Sequence, residues 1–301
     1  MFDYEYWGNG TFPAHQNMAL EEFFLKRAAT AKAIIRFYSF PKDTVVLGYA
    51  QATDPVKSPD GIDVTRRITG GSHIQTGKNI IAYSFAVPRD GTFRNYEDMR
   101  AYYAQHVADA LTGLGVDGVQ VDNKASVITT DDKIIAAHAL IWGVESALLH
   151  GLIFIDHYDA DAVAKRVHLG RRKVGGEIYS EYAALKNLPA ISTLLDRLAI
   201  NSHNRTASLR NIVAEAILAK LTSTHERKEI SPKTVNESFE LMKKKFSRGS
   251  WIDSRRPPFT EQEIDEIPFE ELDGKLLKKL GYCLFLQVRD KDFKKMCMSE
   301  V

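Results

Sequence analysis

The sequence predicts an α+β fold on three observations. Short β-branched stretches alternate irregularly with amphipathic ones and show no regular βαβ period, which argues against a doubly wound sheet. The 301 residues suffice for one large domain with a small appendage. Hydrophobic residues make up 44% and charged ones 26%, the balance of an ordinary globular chain.

Taken in order, two strands open the chain and a helix starts at Asn17-Met18-Ala19-Leu20-Glu21-Glu22. Asn17 can cap it, Glu21 and Glu22 suit its positive end, and Met18 and Leu25 begin a buried stripe. Ala33–Tyr38 and Thr44–Leu47 are β-branched and bounded by Pro41 and Gly48, so they read as strands. Residues 50–62 carry Pro55, Pro59 and Gly61 and read as a loop. Val64–Ile68 leads into Thr69-Gly70-Gly71-Ser72, and Ile80–Val87 is the next strand. Tyr96–Leu114 has helical spacing and stops at Gly115. Strands are expected at Ser126–Thr129, Lys133–Ala136 and Leu148–Ile155, then helices at Asp159–Val167, Leu209–Leu221 and Val235–Phe246. Arg255-Arg256-Pro257-Pro258 blocks helix continuation and sets a boundary between a main domain, 1–254, and a small C-terminal extension, 255–301.

Composition narrows the function classes. Forty Lys and Arg against 39 Asp and Glu give a formal charge of +1, so no bulk field points to nucleic acid or an anionic membrane. The longest apolar runs, Ile80–Val87 and Ala147–Ile155, fall short of the ~20 residues of a membrane span. The N-terminus lacks a basic segment followed by an apolar one, so no signal peptide is expected. The only cysteines, Cys283 and Cys297, exclude a disulfide framework and a multi-cysteine zinc site. A reduced, cytoplasmic protein is the expectation.

Arg66-Arg67-Ile68-Thr69-Gly70-Gly71 is the most informative hexapeptide. Its glycines permit close backbone approach, and a guanidinium beside them can grip phosphate or carboxylate; alternatively it is a plain turn next to surface arginines. It is neither a Walker loop nor a dinucleotide fingerprint. Lys133 can project an ammonium into a cleft from the start of a small-residue strand, or pair locally with Asp131 or Asp132. His138 and His150 lack metal-ligand spacing and read as structural, and no metal site is expected. Lys165-Arg166 and Arg171-Arg172-Lys173 read as a solvated face.

Taken together, these pieces resemble the lipoate–protein ligase branch of the biotin/lipoate ligase and lipoyl/octanoyl transferase superfamily. Asn17–Glu22 resembles its opening helix motif, Arg36-Phe37-Tyr38 through Val45–Gln51 the following hairpin ending Gly-x-x-Gln, and Arg66–Gly71 its Arg-Arg-x-Ser/Thr-Gly-Gly. Tyr83-Ser84-Phe85, Lys133-Ile134-Ile135-Ala136, His150-Gly151 and the stretch from Lys243 to Trp251 continue the pattern across roughly residues 15–253. The resemblance implies a mixed β-sheet flanked by helices. It also implies ATP-dependent activation of lipoate or octanoate as an acyl-adenylate, with Mg²⁺ screening the polyphosphate. The acyl group would then pass to a lysine of a lipoyl domain of a 2-oxoacid dehydrogenase or of a glycine-cleavage carrier protein, with a separate accessory subunit as an option.

By the same resemblance, Lys133 is the catalytic cation, Arg67 binds nucleotide phosphate, and Gly70, Gly71, Ser72, His73, Ile74 and Gln75 line the nucleotide and acyl site. The sequence departs from the family pattern at Ser72, where a third glycine is expected, at His73, where a small residue is expected, and at Thr76-Gly77, in place of His-Asp. Alternatives are a divergent octanoyl or lipoyl transferase and a non-catalytic paralogue acting as a binding subunit. A transferase needs a cysteine nucleophile, and none lies in the first 282 residues. The Gly-Arg-Gly-Arg-x-Gly-Arg loop of biotin ligases is also missing.

Overall fold

Strand β1 (Tyr4–Thr11) runs into helix α1 (Ala14–Ala28), which returns the chain to β2 (Ala33–Ser39), parallel to β1. This computed structural model describes residues 2–254 except 31, 52–55, 57–60, 157–158, 170, 175–176, 187–190 and 192–204. The expected boundary at 255 and the C-terminal extension lie outside the described residues.

One strand, not two, opens the chain. Helix α1 starts at Ala14 after Pro13, a residue suited to a first turn because it has no N–H to leave unpaired. Asn17 is therefore inside the helix and fully buried. Instead of capping, its side chain donates to the carbonyls of Phe12 (2.8 Å) and Ser39 (3.1 Å), tying the helix start to the end of β2.

The elements that follow are β3 (Thr44–Leu47), β4 (Asp63–Arg66), β5 (Ile74–Thr76), β6 (Ile80–Pro88), α2 (Tyr96–Gly113), β7 (Val119–Asp122) and β8 (Val127–Thr130). They continue with β9 (Lys133–Trp142), β10 (Ser146–Phe154), α3 (Ala160–Arg166), β11 (Arg171–Val174), β12 (Glu177–Ser180) and α4 (Glu181–Lys186). The described chain ends with α5 (Arg205–Leu221), β13 (His225–Arg227), α6 (Pro232–Leu241), a π-helical turn at Met242–Phe246 and α7 (Gly249–Ser254). Asn95 caps α2 through the Asp98 amide, and Gly115, at φ +91°, lets the chain leave the helix as its sequence position predicts.

The main sheet has the order β13-β1-β2-β6-β10-β9-β8-β7. Its β13, β1 and β2 are parallel and the remaining pairs antiparallel, a mixed sheet flanked by helices. One face packs on α2 and α5 through Tyr83, Phe85, Tyr103, Val107, Leu209 and Ile217. The other packs on α1, the π turn and α7 through Leu20, Phe24, Ile34, Leu148, Phe246 and Trp251. A second sheet, β4-β3-β5, lies on this α1 side, where Val46 and Ile74 join the same apolar cluster. A bulge falls between Ile128 and Thr129 opposite β9, and β9 runs six residues past the predicted Ala136.

The π turn is held by charge. Lys245 is buried, its Nζ 2.5 Å from Glu22 Oε2 and 4.0 Å above the Trp251 ring. Burial lowers the Lys245 ammonium to about 8 against the pull of Glu22, so it stays charged at neutral pH. Among the described residues, no helix is long and apolar enough to cross a membrane.

Candidate active site

A cleft of about 460 Å³, open mouth included, lies on the α1 face between the main sheet and the smaller one. Strand alternation builds its walls. Ala137 and Ala139 of β9 face it, next to their β10 partners Leu152 and His150, and the small alanines leave the space open. Val46 and Ile74, paired across β3 and β5, form the opposite wall, with Met18, Tyr38 and Phe40 between. The lining is mostly apolar with few polar groups, the usual make-up of a small-molecule site.

The polar groups belong to one buried chain. Arg36 of β2 donates through Nη1 to Glu21 Oε1 (2.9 Å) and through Nη2 to Asn17 Oδ1 (2.5 Å). The second Glu21 oxygen lies 3.0 Å from His150 Nδ1. His150 Nε2 lies 2.7 Å from Thr69 Oγ1, which also accepts from Arg67 Nε at 3.0 Å. All six side chains are buried. Burial, reinforced by the Glu21 charge, raises the Tyr38 phenol well above its usual value, so it stays protonated beside the cleft.

Arg67 reaches the cleft wall, but its guanidinium is committed to the protein. Nη1 donates to Val46 O (3.1 Å), and Nη2 donates to Gly70 O (2.7 Å) and Ser72 O (2.8 Å). The alternative of surface arginines beside a plain turn is corrected: Arg66 is fully buried and Arg67 is 4% exposed. Positive φ in the turn falls on Gly71, at +87°. Ser72 is not among the described non-glycine residues with positive φ, so replacing a glycine there costs no backbone strain. A Cβ on Gly48 would overlap the Gly71 carbonyl, so the two loops touch backbone to backbone. Gly70 is exposed, with open space where a Cβ would stand.

The expected segment 70–75 therefore splits. Gly70, Gly71 and Ser72 are exposed, Ile74 lines the cleft, and half-buried His73 accepts through Nδ1 from Gln51 Nε2 at 2.8 Å. Gln75 is a correction. The period of two that turns Ile74 to the cleft turns Gln75, with its partner Val45, to the opposite face of the small sheet.

Lys133 lies apart from these groups. It follows a tight turn with Asp131 and Asp132 both at positive φ (46° and 61°) and pairs with Thr130. It is exposed and, among the described residues, forms no ion pair, so the local pairing with Asp131 or Asp132 is not formed. Ala137, where β9 first borders the cleft, is four residues on, or about 13 Å along a strand.

His138 and His150, read as structural, are both buried, in different surroundings. His150 joins the cleft to Glu21, a contact spanning 129 residues that no local motif announces. His138 borders the cleft at its backbone, while alternation sends its ring to the α2 face with Ala136 and Leu140. Neither ring nitrogen has a partner, and burial, aided by Arg100, lowers the imidazole to about 4.

Fold and cleft together define an α+β domain with a mostly apolar cleft bordered by Arg67 of the glycine-turn motif. The family model of the lipoyl protein ligase A/B catalytic domain matches residues 13–189, and the chain belongs to this family. It is 23% identical over 267 residues to lipoate–protein ligase 1 of Staphylococcus aureus, covering 86% of this chain and 78% of that one. Its fold resembles that of a lipoate–protein ligase A bound with ATP (TM-score 0.64, 20% identity, 83% of this chain and 98% of the other). It also resembles a bipartite lipoate protein ligase studied with its E2 lipoyl domain from Thermoplasma acidophilum (TM-score 0.66, 19% identity, 84% and 96%).

Proposed function

We propose that this protein is an ATP-dependent lipoate–protein ligase. The observation that carries the reading is the apolar cleft bordered by Arg67, which also holds the Gly70 carbonyl of the glycine turn, inside a segment matching the family model. The mostly apolar lining suits a lipoyl or octanoyl chain, and the open space at Gly70 would admit a phosphate close to the backbone. The relatives named as lipoate–protein ligases, one of them bound with ATP, support the choice of substrates.

In the first step a carboxylate oxygen of the acyl substrate attacks the α-phosphorus of ATP. The bond to the bridging oxygen breaks and pyrophosphate leaves. In the second, the ε-amine of an acceptor lysine attacks the acyl carbonyl, AMP leaves, and the amine loses a proton. No covalent enzyme intermediate is needed, so the protein's part is positioning and stabilisation of developing charge.

Arg67 contributes by fixing the carbonyls of Gly70 and Ser72, which sets the turn's amides. That differs from a direct phosphate grip. Ser72 and His73 flank the nucleotide. Lys133 supplies its charge to phosphate outside the cleft, where its exposed position on the β8–β9 turn leaves it available. Mg²⁺ would ride on the polyphosphate and screen its charge. The acceptor is a lipoyl domain of a 2-oxoacid dehydrogenase or a glycine-cleavage carrier, the first supported by the archaeal relative studied with its E2 domain.

The test is the mass of an apo lipoyl domain after incubation with this protein, Mg²⁺ and lipoate or octanoate. The domain should gain one acyl group only when ATP is present. A gain without ATP, from an acylated carrier, would mark a transferase; no gain from either donor would mark a binding subunit.

A further inference from the structure

The buried chain behind the cleft has more order than simple burial requires, because each member has a fixed number of protons to give. A carboxylate only accepts and a guanidinium only donates. Arg36 donates to one Glu21 oxygen, so the other, 3.0 Å from His150 Nδ1, requires the imidazole proton on Nδ1. In the neutral imidazole Nε2 is then an acceptor, and at 2.7 Å the Thr69 hydroxyl donates to it. With its hydrogen so directed, Thr69 Oγ1 turns its lone pairs to Arg67 Nε–H, 3.0 Å away. Arg67 in turn holds the carbonyls of Gly70 and Ser72. The Tyr49 amide, from the loop that Gly48 brings against Gly71, donates to Thr69 O at 2.8 Å.

We propose that Glu21 and His150 are positioning residues that orient the Thr69 hydroxyl, and through it Arg67, so that the Gly70–Gly71 turn is preset for the nucleotide before substrate arrives. The turn lies on an exposed rim with no apolar side chain of its own, so it is held by polar contacts: the Tyr49 amide on Thr69 O and the string of donors running from Arg67 through Thr69 and His150 to Glu21. A neutral imidazole with its proton on Nδ1 suits the string. An Nε2–H form would point a second donor at Thr69 and leave the hydroxyl hydrogen without its acceptor. The inference rests on the ligase reading for its kinetic readout only.

Glu21→Gln tests the direction of the string without changing its shape. Facing the Arg36 guanidinium, the glutamine oxygen turns to Arg36 and its NH₂ group to His150, which forces the imidazole proton to Nε2. In the ¹⁵N spectrum of the full chain, His150 should carry its proton on Nδ1 in the wild type and on Nε2 in Glu21→Gln. Should Glu21→Gln fail to fold, Thr69→Val and Thr69→Ser decide. Thr69→Val removes the hydroxyl at similar volume and should speed exchange of the Arg67 Nε proton and lower kcat/KM for ATP about 10- to 100-fold; Thr69→Ser should restore both.

A wild-type His150 protonated on Nε2, or a Thr69→Val protein with wild-type Arg67 exchange, would overturn the proposal. Both spectroscopic readouts are independent of turnover. A wild type that cannot acylate a lipoyl domain would therefore sink the ligase reading while leaving this one to stand or fall on the spectra.

Discussion

Arg66 and Arg67 are adjacent, both buried, and serve different regions of the molecule. Arg66, the last residue of β4, turns towards α7. It donates to the carbonyls of Trp251 and Ile252 there, and to those of Gly48, Tyr49 and Gln51 in the facing loop, while the Trp251 indole donates back to its carbonyl. Arg67 turns towards the cleft and holds the glycine turn. One dipeptide thus ties α7 to the loop after β3 and holds the glycine turn beside the cleft. The contrast teaches that the same residue type, on two faces of one strand end, can serve stability in one place and preorganisation in the other. What distinguishes them is whose carbonyls they satisfy: those at the end of α7 together with the facing loop, or those of the exposed glycine turn, which water can also serve.

The largest effect should come from Arg66. Arg66→Ala takes the guanidinium away from five carbonyls, of which Gly48 O keeps the Gln51 amide, and should cost about 3–5 kcal/mol in chemical denaturation. Arg66→Lys should recover little of it, since one ammonium cannot serve both the loop and the helix end. A loss under 1 kcal/mol would erase the distinction between the two arginines.

His138 sharpens the comparison from the other side, as a buried polar ring with no partner to satisfy it. Unfolded, its imidazole takes a proton near 6.5; folded, only near 4. Unfolding therefore takes up a proton between these values. Stability is full above pH 6.5, falls as pH drops through the window, and levels off below about 4, a total of about 3 kcal/mol. Denaturation curves between pH 7 and 4 should flatten in His138→Leu. An unchanged slope would mean the ring is not the titrating group.

Arg67→Lys keeps the charge and loses the fork that serves the Val46, Gly70 and Ser72 carbonyls and the Thr69 hydroxyl together. Adenylation, followed by pyrophosphate exchange, should fall about 100-fold, or about 2.7 kcal/mol of transition-state stabilisation. Unfolding free energy should change by only about 1 kcal/mol. Loss of fold instead of rate would put Arg67 in the same class as Arg66.

The smallest effect is assigned to Gln75. Its Oε1 is buried without a partner on the face away from the cleft, so Gln75→Leu should leave KM for ATP and lipoate unchanged and raise stability by up to about 1 kcal/mol. A raised KM would return Gln75 to the nucleotide site that the resemblance implies for it.

Much of the fold was legible in the chain because it depends on local chemistry. Thr44–Leu47 is a strand at its predicted bounds, α2 begins after its Asn95 cap, and Gly115 ends it in the left-handed region. Of the site, the Arg66–Gly71 motif and the glycine needed at 71 could be read from residue type and order. Other features could not. Asn17 was read as a cap from its place before an apolar run, yet Pro13 starts the helix earlier and the Asn17 amide is drawn to Phe12 and Ser39. Gln75 was carried to the site by its neighbours in the motif, and only the pairing of β3 with β5 shows which face it occupies.

The sequence by itself determined which segments are extended or helical, where the chain turns, and which family pattern it carries. These follow from propensities, caps and glycine dihedrals acting within a few residues. Tertiary structure alone decided that Glu21, Arg36, Thr69 and His150 meet, that Arg67 serves the turn's carbonyls, and that His138 is buried without a partner. The reason is physical. A buried polar group must find its partner wherever the fold brings one, and for Glu21 and His150 that partner is 129 residues away, beyond the reach of any local pattern.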